Sequence, residues 1–444
     1  MAATKASAAR PPNIVFILLD DYGWGDSGAY GSKFYQTPNI DRLAKQGMRF
    51  TQAYDACHVC SPTRASILTG KYPARLHLTD WLPGRTDRPN QKLLRPIINQ
   101  QLPLDEVTIA EALKPAGYVS GAFGKWHLGG KGFMPENQGF NVFVAGNPKG
   151  RSPGSQDDEK GEYGDTEEAI KFIEANWGRP FFLYLPYNST HIPLNARREL
   201  IEKYQKHVQP GAHHTNAIYA AMIESVDTQI GRLLKKLDDS GLTDNTVVFF
   251  TADNGGLSVK EGANTPATSN FPLRAGKGYL YEGGIRIPLI VRWPGKIKPG
   301  GVCNEVTSSV DYFPTMLELA GLKKSPGQIL DGQSLMPLLK QSGKFPERDV
   351  FWHYPHYANQ GGHPGGAIRS GDFKLIEFYE GHVLELYDLS KDIGEKNNLA
   401  SKNLALTREL AQKLADWRRD VNAQMPRPNP EYDPALPRTL PIEQ

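Results

Sequence analysis

Unbroken apolar runs of strand length recur along this chain, and most of them stop at a polar or glycine-rich turn. Asn13–Leu19 (Asn-Ile-Val-Phe-Ile-Leu-Leu) shows no polar alternation, which is the pattern of a parallel strand buried on both faces. Residues 118–123, 181–185, 246–252 and 288–293 predict further buried strands. Between them the apolar period lengthens to that of a helix. Ile218, Met222, Val226, Ile230, Leu233 and Leu237 form one stripe over residues 216–237. Thr37 before Pro38 opens a helix running through Leu43 to Met48. Residues 104–116, 165–177 and 311–320 also predict helices. Strands alternating with helices give an α/β domain over residues 11–345, with a central, mostly parallel sheet flanked by helices. From about Arg348 the character changes. Residues 367–376 read as a hairpin, 384–389 as its pairing partner, 404–421 as a closing helix, and the proline-rich segment after Met425 as an extended surface wrap. Residues 346–444 therefore predict a smaller α+β subdomain containing an antiparallel sheet.

The strand ends carry the candidate chemistry, because open α/β sheets bind ligands outside the carboxyl ends of their strands. Asp20 and Asp21 follow the first run, and Asp253-Asn254-Gly255-Gly256 follows residues 246–252. Asp, Asn and Gly are also turn residues. Two adjacent carboxylates after so apolar a strand repel unless a cation bridges them. Asp253 and Asn254 can complete an oxygen shell, of about six to eight atoms for calcium or about six for magnesium. With no Cys or His cluster among these four, the donors favour Ca²⁺, or Mg²⁺, over a transition metal. Lys125 and His127 follow residues 118–123 within Gly-Lys-Trp-His-Leu-Gly and share one side of an extended backbone. His191 follows residues 181–185, and Lys277 lies among glycines able to approach a ligand closely.

Composition narrows the class. The chain has 444 residues, and 51 basic against 48 acidic side chains leave a net charge of +3, so no nucleic-acid partner is expected. No run reaches the roughly 18 apolar residues of a membrane span. The first ten residues lack the apolar core of a signal peptide; an exported protein, periplasmic or secreted, from which the signal has been removed is the preferred expectation. Of the three cysteines, Cys57 and Cys303 have the option of pairing if Cys60 is modified, and Cys57-x-x-Cys60 lacks the second ligand pair a zinc site needs.

Cys60-Ser61-Pro62-Thr63-Arg64 continues into Leu68-Thr69-Gly70-Lys71. The residues read as a helix with Cys60 at its N-terminal, anion-favouring end, Pro62 in the first turn, Arg64 on the face of Cys60, and Gly70 as the stop. This pattern resembles the signature of the formylglycine-dependent type I sulfatases of the alkaline phosphatase-like superfamily. Gly-Lys-Trp-His-Leu-Gly at residues 124–129 and Gly276-Lys277 leading to Glu282-Gly283-Gly284-Ile285-Arg286 are similar to further motifs of that family, in the family's order. The resemblance spans Asn13 to about Leu389, and in overall look the chain resembles bacterial carbohydrate sulfatases.

It implies the following. Cys60 is oxidised to formylglycine by a maturation enzyme, and the hydrate is the nucleophile. Asp20, Asp21, Asp253 and Asn254 hold the cation, and Arg64 orients the hydrate. Lys125, His127, His191 and Lys277 surround the sulfate and the leaving oxygen, with His127 as base and His191 or Lys277 as acid. The substrate is a sulfated carbohydrate cleaved in exo fashion, with galactose or N-acetylgalactosamine 4-sulfate favoured. The proline- and arginine-rich segment 72–102 supplies Trp81 and Arg85 as candidate substrate contacts, beside Asp87 and Arg88; residues 147–163, with Lys149, Arg151 and Asp157, form another loop. His353 and His356 either pack or line a sugar pocket. Two alternatives share the site: a phosphonate monoester or phosphodiester hydrolase, and a sulfated-glycan binding protein if Cys60 stays unconverted.

Overall fold

The computed structural model describes residues 10–146 and 160–437. Lys149, Arg151 and Asp157 lie outside the described residues. In chain order the strands are β1 (Asn13–Leu19), β2 (Met48–Tyr54), β3 (Leu93–Leu94), β4 (Val119–Gly124), β5 (Val142–Ala145), β6 (Phe181–Pro186), β7 (Thr246–Ala252), β8 (Arg286–Arg292), β9 (Gly301–Cys303) and β10 (Thr307–Ser308). They are followed by β11 (Val350–Tyr354), β12 (Gly365–Ser370), β13 (Phe373–Phe378), β14 (Val383–Asp388) and β15 (Arg427–Pro428).

The large sheet runs β10-β2-β8-β7-β1-β6-β4-β5, with β9 beside β2. All its pairings are parallel except the two made by β8, with β7 and with β2. The chain between β7 and β8 contains only one short helix, Glu282–Ile285. Without a long crossover helix to carry it back across the sheet, the chain re-enters in the opposite direction. Alternation along β1 explains its lack of polar residues. Val15, Ile17 and Leu19 pack with Met222, Val226 and Ile230 of the Ala217–Asp239 helix. Ile14, Phe16 and Leu18 pack on the other face with Ala65, Ile67 and Leu68 of the Cys60–Thr69 helix.

The four-stranded antiparallel sheet β11-β12-β13-β14 presents Ile368, Leu375 and Leu386 to Leu410 and Leu414 of the Leu404–Asp420 helix. Its other face places Trp352, Ala367 and Ile376 against Tyr54, Leu280 and Ile285. The tail returns as β15 to pair with β3, and Asn429 holds the residues just before β3 through Arg88 O, Gln91 O and Lys92 O.

Several expectations need correction. Residues 104–116 are not one helix: only Ile109–Ala112 is α-helical, followed by a 3-10 turn at Lys114–Ala116. Thr108 and Glu111 form a capping box that starts the helix at Ile109, and Pro115 interrupts its continuation. Met48 opens β2 instead of ending a helix, since Gly47 stops the preceding one. Thr37 makes no side-chain cap; Asp227 accepts from the Asn39 and Ile40 amides in its place. Cys57 and Cys303 are free thiols in separate hydrophobic clusters, so they do not pair. Among the described residues no helix is long and apolar enough to cross a membrane.

Candidate active site

Four adjacent strands, β7, β1, β6 and β4, end at the same edge of the large sheet. Their carboxyl ends deliver Asp253, then Asp20 and Asp21, then Asn188 and His191, then Lys125 and His127. Backbone hydrogen bonds hold the ends in step: Asp20 N donates to Ser189 O at 2.9 Å, Asp253 N to Leu19 O at 3.1 Å, and Lys125 N to Pro186 O at 2.7 Å. The Cys60–Thr69 helix points its first residue at the same place. Val59 precedes it in extended conformation, and Gly70 closes it in the left-handed region at φ 68°.

Three carboxylates here face three cations. Arg64, wholly buried, binds Asp253 Oδ2 through Nε at 2.9 Å and Nη2 at 2.7 Å, and donates through Nη1 to Lys125 O at 2.9 Å. Lys125 Nζ lies 2.5 Å from Asp20 Oδ2, and Lys277 Nζ lies 2.7 Å from Asp21 Oδ2. Cys60 Sγ stands 3.5 Å from Asp20 Oδ1, and Arg64 Nη2 3.6 Å from Asp20 Oδ2, so both helix side chains meet the same carboxylate. Burial opposes ionisation of Asp20, but Lys125, His191, Arg64 and Lys277 outweigh it and hold the carboxyl well below the usual range. Burial pushes the Cys60 thiol up, so the unmodified side chain is a neutral, weak nucleophile near pH 7.

The donor set fits a hard divalent cation. Asp20, Asp21, Cys60 and His191 each place a ligand atom within 4.8 Å of the others. Asn254 Nδ2 donates to Asp21 Oδ1 at 2.8 Å, which leaves its amide oxygen, Oδ1, buried without a hydrogen-bond partner among the described residues. A buried, unpaired carbonyl oxygen beside two carboxylates is the environment a cation relieves. Asp253 is turned toward Arg64 and the Asp21 amide, whose N lies 3.2 Å from Asp253 Oδ1.

The two histidines have defined tautomers. His127 Nε2 lies 2.7 Å from Leu82 O, and a carbonyl oxygen only accepts, so Nε2 carries the proton. Nδ1 is left as a buried lone pair with no partner among the described residues. Burial and then Lys125 lower the His127 pKa to about 3, which keeps the ring neutral. His191 spends its Nδ1 proton on Ile192 O at 2.6 Å and turns Nε2 toward Asp21 Oδ2 at 3.6 Å. Burial and Lys277 lower its pKa to about 4 against the pull of Asp21.

These groups form the floor of a cavity of about 560 Å³. Cys60, Lys125, His127, His191 and Lys277 line it below, and Trp81, Trp126, Met134, Phe143 and Ile192 give it apolar walls. Trp81 is thus brought to the site, with its indole Nε1 buried and unpartnered. Arg85, His353 and His356 are not. Arg85 Nη1 instead donates to Ala358 O at 3.0 Å. His353 is buried between Tyr379 Oη at 2.6 Å and Gln424 O at 2.9 Å, and His356 is buried against Thr79 Oγ1 at 2.8 Å. Both rings are packed away from the cavity, although His356 Nδ1 makes no hydrogen bond with the described residues and lies 3.9 Å from Asp80 Oδ2. Sequence reasoning missed Asn188, Glu261, Asn359 and Gln360, which also line the cavity. Asn188 shares the strand end of His191 and was open to the same argument. The other three come from loops without a periodic signal.

The sequence profile described as Sulfatase matches residues 12–322, and that of the N-sulphoglucosamine sulphohydrolase C-terminal region matches residues 275–420. The chain belongs to the sulfatase family. It is 34% identical to arylsulfatase A of Homo sapiens, over 93% of this chain and 88% of that protein. It is 35% identical to N-acetylgalactosamine-6-sulfatase of Canis lupus familiaris, over 78% of this chain and 69% of that protein. Among solved structures, Ps i-CgsB in complex with k-i-k-neocarrahexaose superposes with a TM-score of 0.79 at 29% identity, covering 93% of both chains. This sulfatase is accordingly a sulfuric ester hydrolase, and the cavity at the carboxyl edge of its sheet is where its motif residues meet.

Proposed function

We propose that Cys60 is converted to formylglycine and that the sulfatase uses its hydrate to remove sulfate from a carbohydrate, at the end of a glycan chain. The observation that carries this reading is the convergence of Cys60, Lys125, His127, His191 and Lys277 on one cavity floor beside Asp20 and Asp21, with the wholly buried Arg64 held against Asp20 and Asp253. A hydrated aldehyde at position 60 supplies two hydroxyls on one carbon, one to attack sulfur and one whose ionisation expels sulfate, so that water need not attack sulfur. A divalent cation held by Asp20, Asp21, Asp253 and Asn254 Oδ1, calcium or else magnesium, supplies polarisation of the sulfuryl oxygens. Lys125 and Lys277 place fixed positive charge where negative charge grows in the transition state. Arg64 keeps Asp253 and the Lys125 carbonyl in position around residue 60. His127 takes the proton of the second hydroxyl at Nδ1, its free lone pair. The leaving sugar oxygen receives its proton from Lys277, or from His191 when Nε2 is protonated.

Galactose or N-acetylgalactosamine 4-sulfate is the favoured substrate. The neocarrahexaose bound by Ps i-CgsB and the name of the N-acetylgalactosamine-6-sulfatase relative support a galacto-configured sugar, and the latter makes the 6-position the competing isomer. An exported enzyme, matured by a formylglycine-generating enzyme, suits such a substrate. The test is inorganic sulfate release from 4- and 6-sulfated galactose and N-acetylgalactosamine, with conversion at Cys60 verified by peptide mass. Release from one isomer, abolished by Cys60→Ala, is expected. Full turnover by Cys60→Ala would sink the mechanism, and faster turnover of phosphonate monoesters than of any sulfate ester would move the protein to the phosphoryl class.

A further inference from the structure

Sulfated glycans are polyanions, so a sulfatase must discriminate among sugars carrying different numbers of charges. The floor of this cavity carries the cations Lys125 and Lys277, yet one wall holds the opposite charge. Glu261 is the only carboxylate among the described residues that line the cavity. It belongs to the loop between β7 and β8, and its backbone N–H donates to Thr265 Oγ1 at 2.8 Å. From the other side of the domain boundary, Gln360 Nε2 donates to Glu261 Oε2 at 2.5 Å. Gln360 is only 5% exposed, and its backbone is held in place, since its main-chain carbonyl accepts from Tyr279 Oη at 2.6 Å. Gln360 therefore braces the carboxylate, and Thr265 holds the backbone that carries it. Its other oxygen, Oε1, makes no hydrogen bond with the described residues.

We propose that Glu261, braced by Gln360, is a specificity-determining residue that selects a leaving sugar bearing hydroxyls and rejects one bearing a second anionic group. The inference rests on the reading of the substrate as a sulfated carbohydrate. A carboxylate oxygen accepts from a sugar hydroxyl in a charge-assisted hydrogen bond. A second sulfate or a carboxylate brought to the same wall meets a like charge in a partly desolvated site, which is an element of rejection as well as of attraction. The apolar walls formed by Trp81, Met134 and Phe143 suit the C–H face of a pyranose and supply no cation to offset that repulsion.

The experiment uses the full chain with Cys60 converted, hydrolysing 4-nitrophenyl sulfate, and measures competitive inhibition by galactose 4-sulfate and by galactose 4,6-disulfate. The monosulfate is expected to inhibit at about tenfold lower concentration than the disulfate, and the ratio to fall toward one in Glu261→Gln. Glu261→Asp, which keeps the charge, retains most of the ratio. Raising salt narrows the ratio in the unaltered protein by screening, which decides the matter even if a variant does not fold. A ratio near one in the unaltered protein, or one that neither Glu261→Gln nor salt changes, overturns the proposal. Aryl sulfate turnover with inhibition by neither sugar overturns the carbohydrate reading, and this proposal with it. Absence of aryl sulfate turnover, with the two sugars binding in the expected ratio by titration calorimetry, overturns the catalytic reading alone.

Discussion

The carbonyl oxygen of Leu82 assigns the proton of His127, and with it the atom able to act as base. A glutamine at 127 has no basic lone pair, so His127→Gln is expected to lower kcat by about 10²–10⁴-fold, read by sulfate release at saturating substrate. The pH sign follows from the lowered pKa of about 3. The neutral base form is present above that value and is lost as pH falls through it. Between pH 7 and 5 no His127-dependent decline in kcat/KM is expected, and a limb near the ordinary histidine value of about 6.5 would show the ring to be solvated. At this scale the sequence marked residue types well and atoms poorly. Gly-Lys-Trp-His-Leu-Gly identified His127, but the choice between Nδ1 and Nε2 depends on a carbonyl 45 positions away in sequence. His353 and His356 failed for the same reason: a buried hydrogen-bonded histidine and a ligand-facing one look alike in a string of letters.

Elements were legible where one face or both faces were buried. β1 and β7 occupy the predicted residues, and the Ala217–Asp239 helix carries the predicted stripe. β2 was missed because its Met-Arg-Phe-Thr alternation follows a helix without a gap, and residues 104–116 were over-read because apolar spacing was weighed without the capping box at Thr108 and Glu111. The tail was expected to wrap the surface, and the structure adds what it holds. β15 and Asn429 clamp residues 88–94, in the same segment that carries Trp81 into the cavity and Leu82 O to His127. Truncation after Met425 is therefore expected to lower kcat/KM several-fold and to open residues 83–95 to limited proteolysis, two readouts to be made on one preparation. Unchanged cleavage would show that the segment holds itself.

The large sheet's half of the molecule and the antiparallel sheet are joined by a buried ion pair that extends the pairs each makes within itself. Lys374 on β13 binds Glu282 at 3.1 Å and Glu395 at 2.8 Å, all three fully buried, and Arg286 Nη1 reaches Glu282 at 3.3 Å. Burial opposes ionisation of Glu282, yet Lys374 and Arg286 hold its pKa down to about 2, while burial raises that of Glu395 to about 7. Glu282 belongs to the short helix that follows Lys277, so this network ties the Lys277 segment to the antiparallel sheet. Lys374→Met leaves two buried carboxyls without their nearest cation and is expected to cost about 3–5 kcal/mol, measured as a lower urea midpoint with an unchanged slope. A loss below about 0.5 kcal/mol, the scale of an unremarkable surface change, would show the network to be replaceable.

The sequence by itself determined the strands and helices whose apolar period is set by burial, the strand-end placement of Asp20, Asp21, Lys125, His191 and Asp253, and the helix that presents Cys60 and Arg64. These depend on residues within one turn or one strand of each other, so local spacing carries them. Tertiary structure alone decided which strand ends adjoin, which histidine nitrogen is free, that Asn254 Oδ1 lacks a partner, and that Glu261 and Gln360 close one wall of the cavity. Each of those is a contact between segments far apart in the chain. Hydrogen-bond direction and charge pairing across such distances depend on the packed arrangement of the strands, not on the order of the residues.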